Sequence, residues 1–244
     1  MTEMVQSAIA ARLDALQIPS HIDTDTYPSI VALFEEAFAT YQNEAACSSV
    51  GHTLTYTDLD RLSAQLAGWL QHGAGLARGD RVAVQMPNLI QYLVVCLGAL
   101  RAGMVVVNTN PLYTERELEH QLNDANVKVM VVQANVAQTA AAVLPKTDVE
   151  TAVVTEIADL HPQPKRTLIN FLVKYVKRMV PSFSIPGSLK LNDVLKAGAK
   201  THYRAVILNT DDLAMLQYTG GTTGVAKGAM LTHGNLIANV LQSD

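Results

Sequence analysis

The sequence is poor in charge and in cysteine. Asp, Glu, Lys and Arg make up 16% of its 244 residues, and the net charge is −4. Such a balance has no basic excess to grip a phosphate backbone, so composition argues against a nucleic-acid partner. The two cysteines, Cys47 and Cys96, lack metal-site spacing and any companion histidine pattern. Each sits in an apolar stretch and reads as a reduced core thiol, in keeping with a cytoplasmic protein. No long unbroken apolar run is present. The most apolar segment, 89–107, is interrupted by Gln91, Arg101 and Gly103, which excludes a spanning helix there. The first 17 residues carry Glu3, Arg12 and Asp14 and read as a short amphipathic helix, not a signal peptide. Among the seven histidines, His52, His72, His120, His161 and His202 are scattered without ligand spacing and read as surface or turn residues. His21 falls in a linker, and His233 reads as a cap at a helix start.

What is present is alternation. Residues 45–50 and 53–56 flank Gly51 as a hairpin. A helix from Thr57 repeats Leu59, Leu62, Leu66 and Leu70 at helical spacing, and Gly73 and Gly75 stop it. Strands are expected at 81–86, 105–108, 127–132 and 151–155. The intervening helices are expected from Pro87-Asn88 to about 102, from the Thr114/Glu117 capping box to about 124, and over 135–144. Asn108, Asn110 and Pro111 after the second of these strands read as turn chemistry, and Trp69 as core. This pattern predicts an α/β fold with a mostly parallel sheet flanked by helices. Ligands in such sheets bind beyond the carboxyl ends of the strands. The stretch 159–200, with four prolines, interrupts the alternation, which resumes with a strand at 213–218, a short strand at 229–232 and a helix at 233–241.

Between those last strands lies YTGGTTGVAKG, residues Tyr218, Thr219, Gly220, Gly221, Thr222, Thr223, Gly224, Val225, Ala226, Lys227 and Gly228. Its three inner glycines let the backbone approach a ligand and present successive N–H groups to an anion. The threonines add hydroxyl donors, and Lys227 adds a point charge suited to phosphate. The segment is not the motif G-x-x-x-x-G-K-[ST], because Ala226 precedes the lysine and Gly228 follows it. It therefore reads as a nucleotide-phosphate loop of another kind.

The longer block YTGGTTGVAKGAMLTHGNL resembles the signature of the adenylate-forming superfamily, which includes acyl-CoA synthetases, peptide-synthetase adenylation domains and luciferases. The commonest superfamily loop has Pro where this chain has Ala226, and Ser where it has Gly221 or Thr219. The variant GGTTGVAKG is typical of bacterial long-chain fatty-acid–CoA ligases. Residues 87–125 and 165–187 are similar to segments of that subgroup, and the resemblance runs from about Tyr27 onward. It implies activation of a long-chain fatty acid by ATP through an acyl-adenylate, with Mg²⁺ accompanying ATP and CoA as acyl acceptor. The eleven loop residues would bind the triphosphate. The catalytic lysine, the adenine pocket and the metal-binding glutamate would lie beyond Asp244. The chain is thus expected to be an N-terminal part, inactive alone. It divides into 1–28 (helix and linker), 29–212 (an α/β subdomain with a basic insert at 163–187) and 213–244 (the phosphate loop and the start of a second subdomain). Two other readings stay open: an adenylating ligase for an aryl or amino acid, and a non-catalytic binding module or homodimer.

The insert bears its own pattern. On a helical wheel of 165–180, Arg166, Thr167, Asn170, Lys174, Lys177 and Arg178 share an arc of about 120°. Apolar residues fill the rest, and no acidic residue occurs. Two readings fit. One is an interfacial helix on an anionic membrane, which would place the protein peripherally on the inner face. The other is a helix packed on the sheet with a basic solvent face.

Overall fold

A computed structural model describes residues 2–16, 23, 26–219 and 226–242. Helix α1 (Thr2–Ala15) forms as expected, with Val5 and Ile9 exposed. Helix α2 (Ile30–Tyr41), capped by Ser29, was not anticipated. Strands β1 (Ala45–Ser49) and β2 (His52–Thr55) make the predicted antiparallel hairpin. Helix α3 (Tyr56–His72) begins one residue early because Thr55 and Asp58 form a capping box. Its Leu59, Leu62, Leu66 and Leu70 are all buried, each burial stabilising by about 2 kcal/mol.

The alternating core then follows: β3 (Arg81–Gln85), α4 (Ile90–Arg101), β4 (Val105–Thr109), α5 (Glu115–Asp124), β5 (Val127–Gln133), α6 (Ala137–Val143) and β6 (Thr151–Thr155). Helix α4 starts later than Pro87-Asn88 suggested. The Ile90 N–H donates to Ser49 Oγ at 3.2 Å, so the hairpin caps this helix from a distance. After α7 (Lys165–Phe171) come β7 (Leu189–Lys190) and α8 (Leu191–Gly198), both hidden inside the proline-rich stretch. Strands β8 (Leu213–Thr219) and β9 (Lys227–Thr232) and helix α9 (His233–Leu241) complete the described chain. Thr232, paired with Asn235, caps α9. His233 is therefore the first helical residue and fully buried, not the cap that position alone suggested.

Among the described residues, one seven-stranded sheet runs β7-β6-β5-β3-β4-β8-β9. It is parallel except for the β8–β9 pair. Its central strands are buried on both faces, which is why β5 reads as a nearly continuous Val/Met run. Val82, Val84, Val106, Val129, Val131 and Val153 pack under α2, α3, α4, α8 and α9. Ala83, Val107, Met130 and Val132 pack under α5 and α6 on the other face. The register shift opposite Arg81 and Val82 lets Val127 and Val129 serve opposite faces although they are two apart. Helices α3 and α8 cross so closely that a Cβ on Gly198 would lie 1.8 Å from the Gln65 carbonyl oxygen.

The insert differs from both sequence readings in detail. The α-helix ends at Phe171 and continues as a π-helical turn over Leu172–Val176, and Arg178 (φ 53°) ends it. Part of its polar arc turns inward, while Thr167, Lys174, Lys177 and Arg178 stay exposed. Asn170 accepts from the Ala158 N–H and donates to Asp159, and Arg166, Asn170 and Lys174 line a cavity of about 670 Å³ beside β6 and β7. Leu168, Leu172, Val176 and Met179 stand exposed, Leu168 by 58% and Val176 by 59%. The apolar side is not packed on the sheet. No helix among the described residues is long and apolar enough to cross a membrane.

Candidate functional site

The topology sets a switch point at the carboxyl ends of the strands. The chain leaves β3 toward the α4 face, but leaves its two neighbours β4 and β5 toward the α5 and α6 face. Connections that part in this way open a gap where ligands bind. The residues ending these strands are polar: Gln85, Asn108 and Thr109, Gln133, Thr155, and Gln217. They bond to one another across the edge. Asn108 donates to Gln217 Oε1 at 2.8 Å, Gln121 donates to the Asn108 carbonyl at 3.0 Å, and Gln85 donates to the Asn110 carbonyl at 3.3 Å. Gln85 and Gln121 are buried, and the Oε1 atom of each has no partner among the described residues. The sequence pattern assigns Asn108 and Asn110 to turn chemistry. For Asn110 this holds, since its side chain accepts from the Leu112 N–H at 2.9 Å. Asn108 instead joins β4 to β8.

Strand β8 enters beside β4 and carries the glycine- and threonine-rich segment to this same edge. Tyr218, Thr219, Ala226, Lys227 and Gly228 are described; Gly220, Gly221, Thr222, Thr223, Gly224 and Val225 lie outside the described residues. Thr219 and Lys227 face each other across the antiparallel pair, both exposed. A hydroxyl donor and a cation thus flank the mouth of the segment, a donor set suited to phosphate oxygens. Tyr218 lies opposite Gly228, and a Cβ on that glycine would sit 2.9 Å from the tyrosine ring. This glycine is needed for contact with an aromatic neighbour, with no special backbone angle involved.

Tyr218 is held from below. Its hydroxyl donates to Asp124 Oδ2 at 2.5 Å. Burial pushes its pKa up, and the bond and charge of Asp124 push it further, so the phenol stays protonated. At the other end of the segment, the Ala226 carbonyl accepts from His120 Nε2 at 3.0 Å. His120 had been read as a surface histidine, and nothing local distinguishes it, because its partner lies 106 residues on.

The remaining histidines do not assemble. His161 meets the Val50 carbonyl and stacks beside His52, and His72 meets the His202 carbonyl. No group of His, Cys, Asp and Glu among the described residues could hold a metal ion. Cys96 is buried, with its thiol pushed up to about 12 by burial, as an inert core thiol should be.

A family model described as AMP-binding enzyme matches residues 34–244. The long-chain-fatty-acid–CoA ligase of Escherichia coli O157:H7 is 48% identical over 225 residues, covering 92% of this chain and 40% of that protein. The ligase of the same name from Bacillus subtilis is 36% identical, covering 86% and 38%. Among solved structures, a long-chain-fatty-acid-CoA ligase from Archaeoglobus fulgidus superposes with a TM-score of 0.68 at 28% identity, covering 88% of this chain and 39% of that one. An anthranilate CoA ligase in complex with anthranoyl-AMP gives 0.70 at 19% identity, covering 87% and 37%, a likeness of fold alone. The chain spans about 40% of the length of these curated relatives.

Proposed function

The chain belongs to the AMP-binding enzyme family, and from that premise we propose that the full-length protein is a long-chain fatty-acid–CoA ligase. The observation that carries the reading is similarity along nearly the whole chain to ligases of that name. In the proposed reaction the fatty carboxylate attacks the α-phosphorus of ATP, the bond to the β-phosphate oxygen breaks, and pyrophosphate leaves. The CoA sulfur then displaces AMP from the acyl carbon. The role we assign to residues 218–228 is to hold the β- and γ-phosphates. Charge moves onto pyrophosphate in the first step, so fixed donors there lower its barrier. Thr219 and Lys227 would supply two such donors, and Thr222 and Thr223 would add two more hydroxyls. Mg²⁺ would accompany the phosphates of ATP. Under this proposal, residues 213–244 join the α/β subdomain to a second one that begins near the chain's end. The test is a panel of acids offered to the full-length protein with ATP and CoA. Thioester formation should favour straight chains of about twelve carbons or more. Preference for benzoate-type or amino acids would transfer the assignment to the other branch of the family.

A second reading concerns the insert, and the exposed stripe Leu168, Leu172, Val176 and Met179 favours it. The stripe is flanked by exposed Lys165, Lys177 and Arg178, and no acidic residue lies within 165–180. Apolar residues bordered by cations complement an anionic bilayer surface. Docking there would bring the enzyme to a substrate that partitions into lipid. Flotation with phosphatidylglycerol vesicles should carry the protein, and changing Lys174, Lys177 and Arg178 to Glu should release it. Equal flotation of the two forms, or none by either, would remove this reading.

A further inference from the structure

We infer that α5 is the clamp that positions the phosphate loop, with His120 and Asp124 as its two positioning residues. The inference rests on the reading of 218–228 as a triphosphate site. Asp124 and His120 are four apart, so they lie one turn apart on the same side of a helix. Asp124 holds Tyr218, the residue before the last of β8, through its hydroxyl. His120 holds the residue that precedes β9 through the Ala226 carbonyl. The two contacts therefore bracket the loop on its entering and leaving strands. Because a carbonyl only accepts, His120 must carry its proton on Nε2, and the contact survives whether the ring is neutral or charged. The helix itself is fixed at its start by the Thr114/Glu117 capping box and underneath by Leu118 and Leu122 in the core. Gln121, between the two clamp residues, bonds to the Asn108 carbonyl at the end of β4. The base of the clamp is thereby tied to the sheet edge that carries the switch point.

A loop built from glycines must lose backbone freedom to bind phosphate, and each fixed end reduces that loss. The clamp supplies this preorganisation without touching the ligand. His120→Ala in the full-length protein should lower kcat/KM for ATP about fivefold, the worth of one hydrogen bond, while the KM for hexadecanoate stays near wild type. His120→Gln places a donor near the same point and should restore the ATP value. Asp124→Ala should act like His120→Ala, and Asp124→Asn, which keeps an acceptor, should act like wild type. A second readout does not depend on activity. Amide hydrogen exchange in the peptide covering 226–230 should be about fivefold faster in His120→Ala and return to normal in His120→Gln. If the wild type proves unable to activate fatty acids, the ligase reading falls, and hydrogen exchange still decides the clamp. Exchange within twofold of wild type in His120→Ala would overturn the clamp. So would equal loss of kcat/KM for every substrate in both the Ala and Gln variants, the mark of a purely structural residue.

Discussion

Replacing Arg101 with Met should destabilise the chain by about 3 kcal/mol, a figure that follows from how its guanidinium is held. Arg101 ends α4, and its side chain is 8% exposed. Its NH1 donates to the Asp60 carboxylate at 2.6 Å, to the Asp60 carbonyl at 2.9 Å and to Ser63 Oγ at 2.9 Å. Its NH2 donates to the Tyr203 hydroxyl at 2.9 Å. The guanidinium carbon also lies 4.9 Å from the Tyr203 ring centre and 5.4 Å from that of Phe38. One side chain therefore joins α2, α3, α4 and the segment after α8. The carboxylates it meets, Asp60 and Glu35, are 45% and 47% exposed, so solvent screens those pairs to under about 1 kcal/mol. The neutral acceptors and aromatic faces carry the rest. Charge-assisted hydrogen bonds contribute about 1.5–3 kcal/mol each on removal, and burying the cation offsets part of their sum. The chain's single tryptophan, Trp69, is buried in α3 near this junction and reports unfolding in urea by fluorescence. Arg101→Met should lower the melting temperature by about 6–12 °C. The difference should persist in 1 M salt, because most of it is not an exposed ion pair. Asp60→Asn should cost under about 1 kcal/mol. An Arg101→Met chain as stable as wild type, or an Asp60→Asn chain equally damaged, would refute the reasoning.

Two further outcomes are expected. Gly198→Ala should force α3 and α8 apart, since the new Cβ meets the Gln65 backbone, at a cost of about 3 kcal/mol in urea unfolding. Gly51→Ala meets nothing within 4 Å and should cost only the strain of its left-handed backbone, about 1–2 kcal/mol; a reversed ranking would contradict the packing argument. His233 has its pKa lowered below 6.5 by burial, with Asp212 opposing and Arg78 assisting. A histidine whose folded pKa is depressed contributes fully above pH 6.5, and that stability is lost as pH falls through the folded value. Wild type should therefore lose more stability than His233→Gln between pH 7 and pH 5, and parallel pH profiles would contradict this.

The sequence made legible what is local or periodic. The Thr114/Glu117 cap spans four residues, and each strand and helix of the β–α alternation carries its own short period, so both emerged with nearly correct bounds. Helix α8 has Leu191, Val194 and Leu195 at helical spacing, but the prolines before it give the stretch the pattern of a break. Helix α2 carries its own signal in Ser29 followed by Ile30, Leu33, Phe34 and Phe38, ahead of the β–α alternation. The insert's two-sided character was visible, but the inward turn of Asn170 was not. That is decided by Asn170 bonding to Ala158 and Asp159, a tertiary fact. The Asn108–Gln217 and His120–Ala226 contacts join residues more than 100 apart in sequence, and no pattern in one chain marks them.

The central claim is that the full-length protein adenylates long-chain fatty acids with Lys227 on the departing pyrophosphate. The direct measurement is hexadecanoate-dependent exchange of labelled pyrophosphate into ATP, with and without Lys227→Ala. The account predicts exchange that requires the fatty acid and falls about a hundredfold in kcat with the substitution. Exchange that ignores hexadecanoate, or that proceeds undiminished without the lysine, would contradict it.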